Sequence, residues 1–200
     1  MKWVILRMAG LVFLLTGVAV SMPGHDSEAH PVPSPCFDFV TGGGWFAPTP
    51  DSDPDNPNQR ANFGFEAGYK NGEPPPPLMG NLNYIDHNTG MHVKATSVDT
   101  YDAFACFDTV HNTECADRTF SGSAQVNGVA GYAYRAEVVD DGEPGNVPKG
   151  HDRFIITVSG PGLSYHADSG GAPSAFTPPS DGIDGGNIQI HKPCNGVNPK

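Results

Sequence analysis

The chain has 200 residues, among them 25 glycines and 20 prolines, and its 22 acidic against 11 basic side chains give a net charge of −11. That charge repels nucleic acid and anionic membranes, and the glycine and proline content leaves almost nowhere for a long amphipathic helix. The partners left open are cations and neutral molecules, unless the charge serves solubility alone.

At the N-terminus, Lys2 and Arg7 precede the uncharged run from Met8 to Val20, which ends in the small-x-small site Ala19-Val20-Ser21. This is the pattern of a secretory signal peptide over residues 1–21, with an apolar core short of the roughly 20 residues a membrane span needs. Its removal takes Lys2 and Arg7 and no acid, so the net charge moves from −11 to −13. No later segment is apolar enough to anchor the chain, and the first cysteine, Cys36, lies well beyond the apolar run, which argues against a lipid anchor. The expected location is extracellular or periplasmic. Residues 22–35, rich in proline, read as a disordered leader, residues 36–194 as one domain and residues 195–200 as a tail.

Within the domain, apolar residues recur at every second position, the period of a half-buried strand. Phe37 to Val40 opens the series; Phe63, Phe65, Ala67 and Tyr69 follow, then Leu82 with Tyr84, and the segments His92 to Val98 and Tyr101 to Phe107. Phe120 to Val126 and the run Tyr132, Tyr134, Ala136, Val138 flank Asn127-Gly128, the pair that tolerates positive φ at both central positions of a tight hairpin turn. Phe154, Ile156 and Val158, then Gly162 to His166, then Ile188 and Ile190 complete the pattern. The fold predicted is all-β, a single-domain antiparallel β-sandwich of roughly 8–10 strands. Its long loops are rich in proline, glycine and aspartate: 48–59, 73–77, 140–152 and 167–182.

Four cysteines, Cys36, Cys106, Cys115 and Cys194, survive removal of the signal peptide. In an oxidising compartment an even count reads as two disulfides, for which three pairings are possible. The favoured one joins Cys106 to Cys115 as a local loop and Cys36 to Cys194 across the two ends. Zinc is disfavoured, because no Cys-x-x-Cys pair exists and His111 is a lone histidine near Cys106 and Cys115.

The acids Asp140, Asp141, Glu143 and Asp152 belong to one loop between two strands, a set that suits calcium. Yet the spacing is not that of a known calcium loop, and Asp-Asp-Gly is also what a plain turn looks like. Arg153 could pair with this acidic loop. Among the aromatics, Trp45, after three glycines, is the candidate ligand-stacking residue, although alternating aromatics usually fill a core. Asp86 precedes His87, but adjacent strand residues point to opposite faces. No Gly-x-Ser-x-Gly elbow is present, and no acid pair is singled out by spacing for glycosidase chemistry.

Several short phrases occur in order: Val40-Thr41-Gly42-Gly43-Gly44-Trp45, Ala61-Asn62-Phe63-Gly64-Phe65, Gly80-Asn81-Leu82-Asn83-Tyr84, Phe120-Ser121-Gly122, Val126-Asn127-Gly128, Asp152-Arg153-Phe154 and Gly185-Gly186-Asn187-Ile188-Gln189-Ile190-His191-Lys192. Their order resembles the post-COAP type of bacterial extracellular domain, over about Phe37 to Lys192. The resemblance implies a β-rich extracellular module and carries over no catalytic residue. The cysteines near both ends and the longer acidic loop after Trp45 depart from that pattern.

The expected function is therefore a secreted, noncatalytic module with a binding, accessory or structural role and an extracellular carbohydrate or protein as ligand. The alternative is a secreted carbohydrate-active hydrolase using loop carboxylates.

Overall fold

The structure is a computed structural model, and the residues it describes are 30–31, 38–49, 51–69, 77–108, 113–140, 152–170 and 182–191. Among them the regular elements are all strands: β1 (His30–Pro31), β2 (Phe39–Phe46), β3 (Ala61–Gly68), β4 (Met79–Asp86), β5 (Met91–Ala95), β6 (Thr100–Asp108), β7 (Thr113–Val126), β8 (Val129–Asp140), β9 (Arg153–Gly160), β10 (Leu163–Asp168) and β11 (Gly185–His191). The signal peptide, Cys36, Asp141, Glu143, Cys194 and the C-terminal tail lie outside the described residues, and β1 falls within the segment 22–35.

Period two assigns the faces. Phe63, Phe65, Leu82, Tyr84, Ala136, Val138, Phe154, Ile156, Val158, Ile188 and Ile190 are all buried. Asn127 and Gly128 have φ of 50° and 81°, so Val126 and Val129 are joined by the primed turn that matches strand twist. β2 runs further than its apolar pattern, through Gly42-Gly43-Gly44 to Phe46, because β11 and β3 hold its backbone from both edges.

All pairings are antiparallel, in the order β10-β9-β8-β7-β5-β4-β3-β2-β11, with β6 on β7 and β1 on β6. Where two separate sheets were expected, the eleven strands form one continuous curled sheet. The cause is the length of β7, whose 14 residues offer one edge to two strands in succession, β5 at Ala124–Val126 and β6 at Thr113–Ser121. Between them the chain turns a corner over Gly122. There the Thr96 N–H bonds Ser123 O at 2.8 Å and the Asp99 N–H bonds Ser121 O at 2.7 Å. A Cβ on Gly122 would collide with Ser97 O.

The concave face closes on itself around Phe154 of β9. Its ring stacks on Phe63 of β3 with centroids 4.2 Å apart and planes 6° off parallel, and Phe46, Phe65 and Tyr84 surround the pair. Each such ring contributes about 1.5–3 kcal/mol by leaving water. Gly42 and Gly44 lie beneath this cluster, opposite Phe65 and Phe63. A Cβ on Gly42 would stand 2.5 Å from Phe65 Cζ.

Two polar ties cross the interior. Asp38, just before β2, and Arg118 of β7 are fully buried against each other, with Nε to Oδ1 at 3.1 Å and Nη2 to Oδ2 at 2.5 Å. The Tyr101 hydroxyl donates to the same Oδ1 at 2.7 Å; burial and then the Asp38 charge push its pKa far above the usual tyrosine value, so it remains a donor. The other tie joins β10 to β4: Tyr165 donates to Asp86 Oδ2 at 3.0 Å, which leaves Tyr84 as the donor in their 2.6 Å hydroxyl contact.

Candidate functional site

The acidic loop is placed where β8 ends and β9 begins, and its two described carboxylates turn onto the backbone of β11. Asp140 Oδ2 accepts the Ile190 N–H at 2.8 Å, Asp152 Oδ2 accepts the Ile188 N–H at 2.6 Å, and both acids are buried. These charge-assisted bonds satisfy the N–H groups that β11 does not give to β2, capping an edge that would otherwise template another strand. A cation drawn to this loop would compete for the same oxygens. Among the described residues no three His, Cys, Asp or Glu side chains converge as a metal site requires. Among the described residues, Arg153 pairs with Asp168 of β10, at 3.0 Å and 2.6 Å through both oxygens, rather than with Asp140 or Asp152.

The outward face of β11-β2-β3-β4-β5 has a different chemistry. Registers align Asn187, Gly43, Gly64, Asn83 and Lys94 in one row across five strands. On one side runs Gly185, Trp45, Asn62, Ile85 and His92; on the other run Gln189, Thr41, Glu66 and Asn81. With glycines at its centre, the middle row forms a trough with a bare backbone floor. Packing does not demand these two glycines: a Cβ on Gly64 meets nothing within 4 Å, and one on Gly43 meets only ordinary contacts, the nearest at 3.5 Å. Glycine weakens a strand, and where the fold does not require it, it marks close approach of another molecule.

Trp45 forms a wall of this trough. Its indole lies across Gly185, and the Arg60 guanidinium sits 5.1 Å from the ring centroid, so the ring is half-buried rather than an open platform. Imidazoles hold the neighbouring amides: His87 Nε2 contacts Asn62 Oδ1 at 3.0 Å and His92 Nε2 contacts Asn83 Oδ1 at 2.5 Å. With those oxygens engaged as acceptors, the Nδ2 donors of Asn62 and Asn83 face outward without an acceptor among the described residues. Arg60 Nε and Asn187 Oδ1 are buried atoms that also lack a hydrogen-bond partner among the described residues. The charges here, Arg60, Lys94 and Glu66, nearly cancel, in contrast to the strongly acidic chain.

The outward face of the other half carries Asp117, with Glu137 and Arg135 on the neighbouring strand β8. Burial, and then the Glu137 charge, push the Asp117 carboxyl up to about 7, partly offset by Arg118, Arg135 and Arg153. Its Oδ1 has no hydrogen-bond partner among the described residues. Arg135 instead bonds Glu137 at 3.1 Å in a half-exposed pair.

Sequence reasoning found Trp45 but missed Gly64, Asn83 and Asn187, which only the strand registers bring together. The one available signal was glycine inside an otherwise regular alternation. Asp86 and His87 do not pair: Asp86 Oδ1 accepts the Asn88 and Thr89 N–H groups, and His87 turns outward to Asn62. Compared with family models, with curated proteins and with solved structures, the chain matches none.

Proposed function

We propose that the chain acts outside the cytoplasm as a noncatalytic all-β module that binds a neutral, hydroxyl-rich polymer, a carbohydrate, through the trough on the outward face of β11-β2-β3-β4-β5. The observation that carries this reading is the row Asn187, Gly43, Gly64, Asn83, Lys94, whose central floor is backbone although side chains would fit there. Amides and a half-buried indole complement hydroxyls and sugar ring faces. Asn62 and Asn83 offer donors to sugar oxygens. The near-balance of local charge favours a neutral ligand over an ionic one. The signal-like N-terminus and the order of glycine-rich phrases similar to post-COAP domains support an extracellular setting. Of the acids in the loop between β8 and β9, the two that are described, Asp140 and Asp152, are buried and hold the backbone of β11, which argues against these two as the carboxylates of a hydrolase.

The test is affinity electrophoresis of the oxidised protein through gels containing soluble neutral, acidic or basic polysaccharides. Retardation by a neutral glucan, xylan or mannan supports the reading. Unretarded migration in every neutral gel contradicts it.

A further inference from the structure

Four cysteines permit three pairings, and the ladder registers discriminate among them. β6 and β7 pair from Thr100 opposite Ser121 to Asp108 opposite Thr113, which sets Cys106 directly opposite Cys115. Directly opposed residues of an antiparallel pair have Cα atoms about 4.5 or 5.5 Å apart, and either distance lies inside the roughly 4.4–6.8 Å that a disulfide spans.

The other two cysteines, Cys36 and Cys194, lie outside the described residues. With Cys106 facing Cys115, they are the two that remain to pair. In sequence, Cys36 comes three residues before β2 and Cys194 three residues after β11, the strands that pair with each other.

We infer that the chain carries two cystines, Cys106–Cys115 across the β6–β7 ladder and, between the two cysteines that remain, Cys36–Cys194. Each forms when two thiols pass two protons and two electrons to a disulfide donor, which leaves as a dithiol. The second cystine closes a covalent ring around β2 to β11. It also clasps the strand that supplies Asn187 and Gln189, whose opposite edge Asp140 and Asp152 already hold. Reduction would therefore loosen β11 first along its β2 side.

The experiment is a peptide map of the oxidised, signal-free protein without reductant, using a protease that cuts at Asp108 or Glu114 so that Cys106 and Cys115 fall on separate peptides. The expected result is a chain four hydrogens lighter than its reduced form, with Cys106 linked to Cys115 and Cys36 to Cys194. Any crossed linkage, or thiols that react with an alkylating agent before reduction, overturns the inference. A Cys36→Ser/Cys194→Ser variant should keep the Cys106–Cys115 link and lose roughly 10 °C in Tm; an unchanged Tm overturns the clasp. Neither readout depends on carbohydrate binding.

Discussion

Asp140 Oδ2 lies 2.8 Å from the backbone N–H of Ile190, and fifty residues of chain separate them. With the matching bond from Asp152 to Ile188, it makes the edge of β11 depend on two buried side chains. Asp140→Ala or Asp152→Ala should each destabilise the fold by about 1–3 kcal/mol, because each leaves a buried N–H without an acceptor. Asp→Asn should cost less, since an amide oxygen still accepts. Urea denaturation measures this; two alanine variants as stable as the parent would contradict the edge-capping role.

Neighbouring glycines of β2 and β3 should respond in opposite ways. Gly42→Ala puts a Cβ 2.5 Å from Phe65 Cζ, and overpacking of this kind costs about 1–3 kcal/mol. Gly64→Val enters open space on the outward face, where a β-branched residue should hold or raise stability by up to about 1 kcal/mol. Thermal melts of the two variants side by side check the contrast.

The buried pair of Arg118 and Asp38 should behave as a unit. Arg118→Met removes the guanidinium counter-charge from a fully buried carboxylate and should cost about 3–5 kcal/mol, whereas Arg118→Met combined with Asp38→Leu should cost less than the single change. The double-mutant cycle measures the coupling; simple additivity would contradict it.

Asp117 sets a pH dependence. Its carboxyl is raised from 3.8 to about 7 in the folded protein, so between those values the folded state holds a proton that the unfolded state releases. The associated stability is fully present below 3.8 and is lost as pH rises through about 7. Asp117→Asn should therefore gain on the parent as pH rises across that window. Parallel stability profiles for the two proteins would contradict the shift.

Much of the strand pattern was legible because period two is a local property: Phe63 and Phe65, or Ile188 and Ile190, declare a buried face without reference to any partner. Register is not local. Nothing near Gly64 says that Gly43 and Asn83 flank it, and nothing near β7 says that its length lets β5 and β6 share one edge and fuse what would have been two sheets. Arg118 follows Asp117 in a polar stretch and reads as a surface charge, yet its partner Asp38 lies eighty residues away. The acids Asp140 and Asp152 were legible as neighbours at one end of the fold. That they turn inward onto β11 was not, because their acceptor role is defined by a strand that comes later in the chain.

Trp45 is the only tryptophan after Trp3, so in the signal-free protein its fluorescence reports from the wall of the trough. The most direct measurement is a titration of that emission with a neutral polysaccharide that retards the protein, made on the parent and on Gly64→Val. The account predicts a saturable change for the parent and at least a tenfold weaker response, about 1.4 kcal/mol, for a folded Gly64→Val. Equal binding curves for the two proteins would contradict the trough as the binding site.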